Sequence, residues 1–327
     1  MLEIRDLSVT IGPHQIVRID ALDIAMGERL GLVGESGSGK TMTAMSIIRL
    51  LPDEAEVSGS ITFDGRSLLD CSDSEMSKVR GKDIAIVFQD PARALNPMMR
   101  IGRQIAEGIR LHMKMSKEKL QAKVLSLLAQ VQLPDPESVL RRYPHQLSGG
   151  QQQRVLIAIA IACDPKLLIA DEPTTALDVT VQEEILRLLV SLSEQRRMSL
   201  LFVSHDLGVV RFVCDRIAVA YGGNIVEVGP TDEIVDHPQH RYTSALLGAN
   251  PGIPASEHIE QFVGQRLEVI PGSVPAQGSF PVGCRFRNRC DAATEQCMSE
   301  PAVTELAGGH RFHCWNPLGR SVDAATG

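Results

Sequence analysis

The stretch GESGSGKT, Gly34 to Thr41, places three glycines, two serines and a lysine within eight residues, between the apolar run RLGLVG and the helical pattern TMTAMSIIRLL. Strand, glycine-rich turn and helix start is the context a phosphate-binding loop needs. Gly34, Gly37 and Gly39 let backbone N–H groups converge on phosphate oxygens, Ser36 and Ser38 add hydroxyls, and the helix that follows adds its positive end. Lys40 would reach the outer phosphates and the Thr41 hydroxyl would ligate Mg²⁺. Such a pattern arises by chance in on the order of one in 100 chains of this size. An empty glycine-rich turn is therefore the poorer reading.

LLIADE, Leu167 to Glu172, is an apolar strand that ends in two acids. Asp171 is placed to hold Mg²⁺ and Glu172 to orient or deprotonate a water. Alone, an acidic pair at a strand end reads as a cap; after a phosphate loop, catalysis is the better account. LSGGQQQR, Leu147 to Arg154, opens an apolar helix with Ser148, Gly149, Gly150 and Gln151. That is a second helix start suited to an anion.

The elements that must position these residues follow from the pattern. Short apolar runs at 29–34, 82–89, 166–172 and 199–205 alternate with helical stretches, the signature of an α/β layer on a buried parallel sheet. The first 25 residues and SGSITFDG around Ile61 read as antiparallel strands. Between Pro91 and Leu147 the pattern turns helical, with Leu120, Val124, Leu127, Leu128 and Val131 at helical spacing until Pro134 and Pro136. Beyond residue 250, proline, glycine and small residues predict turns.

At 327 residues, 43% hydrophobic, the chain can bury a core, and its length exceeds what one core sustains, so a second unit near one end is expected. Its net charge of −7 argues against broad nucleic-acid binding. The longest apolar run, Val155 to Cys163, falls short of the roughly 20 residues a membrane helix needs, and the N-terminus does not read as a signal peptide. Cys71, Cys163 and Cys214 read as core residues, whereas Cys284, Cys290, Cys297 and Cys314 crowd the end.

In sum these motifs resemble the ATPase subunits of ATP-binding cassette (ABC) transporters over about 240 residues: Gly34–Thr41 is similar to the Walker A motif, Gln89 to the Q-loop, Ser148–Gln151 to the signature, Leu167–Glu172 to Walker B, Ala176–Asp178 to the D-loop and His205 to the H-loop. The resemblance implies a P-loop NTPase fold with a RecA-like parallel sheet, an antiparallel β-subdomain, an inserted helical subdomain at about 91–147 and a small cysteine-rich C-terminal module, divided at 1–250 and 251–327. It implies ATP and Mg²⁺, held by Thr41, Gln89 and Asp171. Glu172 would be the general base, His205 would contact the γ-phosphate and Asp178 the facing subunit. Two such domains would meet head to tail, the signature of one on the ATP of the other. The aromatic residue on which the family stacks adenine is missing near Ile11 and Gly12.

VFQDPARALNPMMRIG, from Val87, and HPQHRYTSALLGANP, from His237, resemble the oligopeptide and dipeptide importers, as does the tail GCRFRNRC with Cys297 and HRFHCW. Asn288 stands where proline is common in that tail. The resemblance implies a [4Fe–4S] cluster on the four tail cysteines, with Zn²⁺ the alternative; their spacing matches neither a compact ferredoxin run nor a zinc ribbon. His310 and His313 are substitute ligands or, more simply, surface histidines. The implied partners are a second ATPase, expected to be a different chain, two membrane permeases and an extracytoplasmic binding protein, with this chain peripheral on the cytoplasmic face of the membrane. Nickel, opine, glycoconjugate or antimicrobial-peptide cargo is the alternative. A nucleic-acid-associated ABC ATPase is the more distant rival, disfavoured by the roughly 107 residues, without heptads, between Lys40 and Ser148.

Overall fold

The computed structural model describes residues 1–175, 177–249 and 269–319. Its strands are β1 (Leu2–Ile11), β2 (His14–Ile24), β3 (Arg29–Val33), β4 (Ala55–Phe63), β5 (Arg66–Ser67), β6 (Ile84–Val87), β7 (Leu167–Asp171), β8 (Ser199–Ser204), β9 (Arg216–Tyr221), β10 (Asn224–Pro230), β11 (Thr304–Glu305) and β12 (Arg311–Phe312). The helices are α1 (Lys40–Ile47), α2 (Asp73–Val79), α3 (Pro91–Ala94), α4 (Ile101–His112), α5 (Lys117–Gln130), α6 (Pro136–Val139), α7 (Gly149–Ala160), α8 (Val179–Arg196), α9 (Leu207–Val213), α10 (Thr231–Asp236) and α11 (Arg241–Ala249).

The four apolar runs expected as strands are β3, β6, β7 and β8, and with β9, which was not foreseen, they form the parallel part of the sheet in the order β9-β3-β8-β7-β6. Both faces are covered, which is why these strands are continuous hydrophobic runs. Leu168, Ala170, Leu200 and Phe202 face one core, which includes the helical insertion. Their neighbours Leu167, Ile169, Leu201 and Val203 face the other, which includes α1 and the antiparallel strands β1, β2 and β4. Strand β10 joins the two parts, antiparallel to β9 and touching β2 at Asn224 and Arg18.

The insertion between β6 and β7 is helical, as its periodicity predicts, and Leu120, Val124, Leu127 and Leu128 are the buried face of α5. Its end differs from expectation. The prolines do not stop it; the helix closes at Gln130, after which Gln132 turns left-handed at φ 57°, and Pro136 instead opens α6 at its first turn.

The C-terminal residues are tied to the cassette through the sheet. Strand β12 pairs antiparallel with β10, Glu227 opposite Phe312 and Val228 opposite Arg311, and β11 pairs with β12. His310 is neither a surface residue nor turned toward the cysteines: it is 1% exposed, and its Nε2 lies 2.7 Å from Oε1 of the fully buried Glu227. That carboxylate also accepts the Gln239 and His240 N–H groups, at 2.6 and 3.0 Å, so a buried acid draws the histidine inward. No described helix is long and apolar enough to cross a membrane.

Candidate active site

Strand β3 delivers the chain into the glycine loop and α1 leaves it, with Gly39 at the helix's N-cap in a left-handed conformation, φ 91°. A side chain there would be strained, and its Cβ would lie 3.2 Å from Gly223 Cα, Ile16 O and Val17 Cγ2. The cap carries no side-chain hydrogen bond, so the first N–H groups of α1 are left for a ligand. Ser38 is 2% exposed and its hydroxyl finds no partner among the described residues. Buried polar groups are nearly always bonded, and a phosphate oxygen is the acceptor this loop is shaped for.

Lys40 is buried and donates to the Gly34 and Glu35 carbonyls at 2.8 and 3.0 Å, folded back over its own loop. Burial lowers its pKa, and the carboxylates of Glu172, Asp171 and Glu35 counter that. Thr41 Oγ1 donates to Asp171 Oδ1 at 3.3 Å. The acid is 5% exposed and burial pushes its pKa up, with Glu172 adding to the rise and the Thr41 hydrogen bond opposing it. A hydroxyl beside a buried carboxylate is a donor pair of the hard kind Mg²⁺ takes.

The sharpest convergence is on Glu172. Gln89 Nε2 and Thr175 Oγ1 both donate to its Oε2 at 3.0 Å, and His205 Nδ1 lies 3.4 Å from its Oε1. Glu172 sits at φ 46°, an unusual conformation for a non-glycine residue, held by its N–H bond to Val203 O at 2.9 Å. Gln89 comes from just beyond β6, Glu172 from just beyond β7 and His205 from just beyond β8, so parallel neighbours deliver three expected residues to one edge of the sheet. Thr175 was not foreseen.

Ser148, Gly149, Gly150 and Gln151 are apart from this group. Ser148 caps α7 in a reciprocal box with Gln151, and Ser148 and Gly149 are exposed. Asp178, also exposed, caps α8 by accepting the Val181 N–H at 3.0 Å. Ala176, expected to open the D-loop, lies outside the described residues. At Ile11 and Gly12 the β1–β2 turn offers no ring, as the sequence indicates.

The glycine loop has further partners that sequence reasoning missed. Tyr242 accepts the Glu35 N–H at 2.8 Å, and Gln277 Nε2 donates to Gly37 O at 3.2 Å. Arg289 binds the Glu35 carboxylate through both terminal nitrogens, at 2.7 and 3.0 Å. The glutamate inside GESGSGKT was visible in the sequence, but nothing there named its partners.

All seven cysteines are free; Cys71, Cys163 and Cys214 are buried, as expected. In the tail, Cys284 N–H donates to Cys297 O at 3.0 Å. Burial raises the thiol pKa of Cys284 to about 11 and also raises those of Cys290 and Cys314, each pushed further by neighbouring cysteines of the set. The donor chemistry suits a soft metal centre, but among the described residues no three His, Cys, Asp or Glu side chains are arranged to hold an ion. The expected four-thiolate cage is thus absent from this arrangement.

The description "ABC transporter" matches residues 17–175, and "Oligopeptide/dipeptide transporter, C-terminal region" matches 226–297. The probable peptide ABC transporter ATP-binding protein y4tR of Sinorhizobium fredii is 44% identical over 322 residues, 96% of this chain and 94% of that protein. The probable D,D-dipeptide transport ATP-binding protein DdpD of Escherichia coli is 45% identical over 302 residues, 91% and 89% of the two chains. In structure, the dimeric post-hydrolysis state of the ATP-binding cassette MJ0796 bound to ADP and Pi superposes with a TM-score of 0.63 at 30% identity, covering 71% of this chain and 99% of that one. The loop, the carboxylate pair and the detached signature thus have the chain-wide similarity they call for, and this chain belongs to the ATP-hydrolysing subunits of ABC transporters, in the group that carries the oligopeptide/dipeptide transporter C-terminal region.

Proposed function

We propose that this chain powers the import of di- and oligopeptides, working from the cytoplasmic face of the membrane with two permeases, an extracytoplasmic binding protein and a second ATPase that is a different chain. The observation that carries the ATPase part is the split between Glu172, ringed by Gln89, Thr175 and His205, and an exposed signature on the same chain. One chain holds two different halves, which calls for a facing subunit. The peptide cargo rests on the names of the relatives and on the C-terminal match.

In this reading the loop N–H groups, Ser38 and Lys40 bind the phosphates, and Thr41, Asp171 and Gln89 would hold Mg²⁺, which neutralises phosphate charge when bound. Glu172 takes the proton of the attacking water on a carboxylate oxygen, and Gln89 and His205 orient it. Gln89 leads directly into the helical insertion at Asp90, so a shift of its side chain toward nucleotide moves α3 and, through it, the permease contact. Ser148, Gly149, Gly150 and Gln151 meet the ATP held by the partner, and Asp178 lies at that interface.

The boundary near residue 250 and the tail chemistry belong to the same proposal. Cys284, Cys290, Cys297 and Cys314, which the described residues do not hold in a ligating arrangement, would draw together around a [4Fe–4S] cluster, with Zn²⁺ the other candidate, and the role would be structural because a turn-rich tail gains folding free energy from a metal. Anaerobic purification should give a brown protein with iron and sulfide; colourless protein with one zinc selects the alternative, and neither metal ends both.

Reconstitution with the permeases and binding protein tests the whole. Peptide-loaded binding protein should stimulate ATP hydrolysis where nickel or an opine does not. Glu172→Gln should cut turnover by at least about 100-fold while ATP still binds. Unchanged turnover would remove Glu172 from its role.

A further inference from the structure

Glu35 stands inside the phosphate loop, and three separate groups hold it. Its N–H donates to the Tyr242 hydroxyl, its carbonyl accepts from Lys40, and its carboxylate is bound through both oxygens by Arg289. Arg289 belongs to the cysteine tail, 254 residues away, in the turn Arg287–Arg289 that leads into Cys290. Its side chain is 5% exposed and that of Glu35 26%. Arg289 Nε also donates to Pro271 O at 2.8 Å, and its guanidinium stands 5.8 Å over the Tyr221 ring. Phe286, three residues earlier, packs edge-on against Tyr221 at 5.2 Å and tilted against Tyr242 at 5.3 Å. The arginine is thus fixed before it meets the loop.

A planar, bidentate pair does two things that a generic contact does not. It sets the orientation of the Glu35 peptide, whose two ends bear on the loop and on Lys40. It also neutralises a carboxylate that would otherwise face the negative charge of a bound polyphosphate at short range. We propose that Arg289 is a positioning residue for ATP binding: by clamping and neutralising Glu35 from the C-terminal tail, it holds the phosphate loop in its nucleotide-accepting shape. The tail of this chain therefore takes part in nucleotide affinity. The proposal rests on the phosphate-loop reading of Gly34–Thr41 and on nothing about cargo or metal.

Four forms of the full chain test it, by Mg-ATP binding at equilibrium and by kcat and KM in the assembled transporter. Arg289→Gln should weaken ATP affinity about tenfold and raise KM alike, with kcat changed less than about twofold, because the clamp acts on binding and not on Glu172. Glu35→Gln made in the Arg289→Gln background removes the carboxylate that the lost guanidinium leaves uncompensated, so the double variant should recover most of the lost affinity. A merely structural arginine gives no such rescue. The idea fails if Arg289→Gln binds ATP within twofold of the parent, or if the double substitution is no better than the single one. Lys40→Ala separates the layers: its loss of affinity beside an unchanged Arg289→Gln refutes the clamp alone, whereas unchanged affinity in Lys40→Ala refutes the phosphate loop and the clamp together.

Discussion

The chain has two helix starts rich in glycine and serine, and they are built in opposite ways. At α1 the N-cap is Gly39, left-handed and without a side-chain cap, and the loop before it is held from behind by Tyr242, Gln277 and Arg289. At α7 the N-cap is Ser148, extended and closed into a reciprocal box with its own Gln151. The first start is supported by the rest of the chain and leaves its own N–H groups open. The second supports itself and faces outward. A ligand site completed within one chain needs tertiary supports, whereas a surface that docks on another subunit's ligand must be stable alone until that subunit arrives.

Crossing the two sites gives the largest expected effect. Lys40→Ala should abolish ATP binding by the isolated chain. If the signature meets the partner's nucleotide as proposed, Gly149→Asp should leave that binding within about twofold yet lower hydrolysis in the assembled transporter by at least about 1000-fold. The new carboxylate stands at a helix start, where an anion suits the helix dipole, so folding stability should not fall. It would face phosphate charge across the interface at close range. Equilibrium binding on the isolated chain and steady-state turnover of the complex read the two outcomes; loss of binding in Gly149→Asp would merge the sites.

Acid should act on the supported side. His240 is fully buried behind Tyr242, whose N–H donates to its Nδ1 at 3.0 Å. Burial lowers its pKa from 6.5 to about 4, and the Glu227 carboxylate only partly offsets this. The unfolded chain takes up a proton below about pH 6.5 and the folded chain does not until about pH 4. Stability from this group is therefore full above pH 6.5 and is lost as pH falls through that window, by at most about 3 kcal/mol. Denaturant titrations between pH 7 and 4 should show that slope, and it should flatten in His240→Gln. An equal slope in both proteins would put the acid sensitivity elsewhere.

Legibility in the sequence follows the same divide. Asp171 and Glu172 were readable because they end a short apolar strand after a phosphate loop, and Gln89 and His205 through the family resemblance; the structure brings them together because parallel strands align their ends by construction. The closure of the signature by a Ser148–Gln151 box was not foreseen, but the signature itself was readable because Ser148, Gly149 and Gly150 open an apolar helix and match the family motif. Arg289 and Glu35 were not, since no local pattern joins residues so far apart until β12 has paired with β10 and Phe286 has packed on Tyr221 and Tyr242. His310 was misjudged for the same reason: its partner, Glu227, is a charged residue in the interior of β10, and alternation alone does not reveal a buried carboxylate.

The smallest effects come from one methyl group placed at each start. In Gly39→Ala the residue must keep φ near 91° and fit its Cβ 3.2 Å from backbone atoms of Gly223 and Ile16, which have little room to yield. The cost should be about 1–2 kcal/mol of stability, with weaker ATP binding. In Gly149→Ala the Cβ enters the first turn of α7 with Leu177 Cδ2 at 3.7 Å, an ordinary contact, and alanine suits a helix better than glycine. Stability should rise by up to about 0.5 kcal/mol, while turnover of the assembled transporter should drop, because in the proposed assembly the methyl would stand where the partner's phosphate approaches. Thermal unfolding of the two variants beside their turnover separates the cases. If Gly149→Ala were destabilised as much as Gly39→Ala, the signature start would also depend on strained backbone, and the contrast between a loop held by its own chain and a helix end held ready for another would no longer stand.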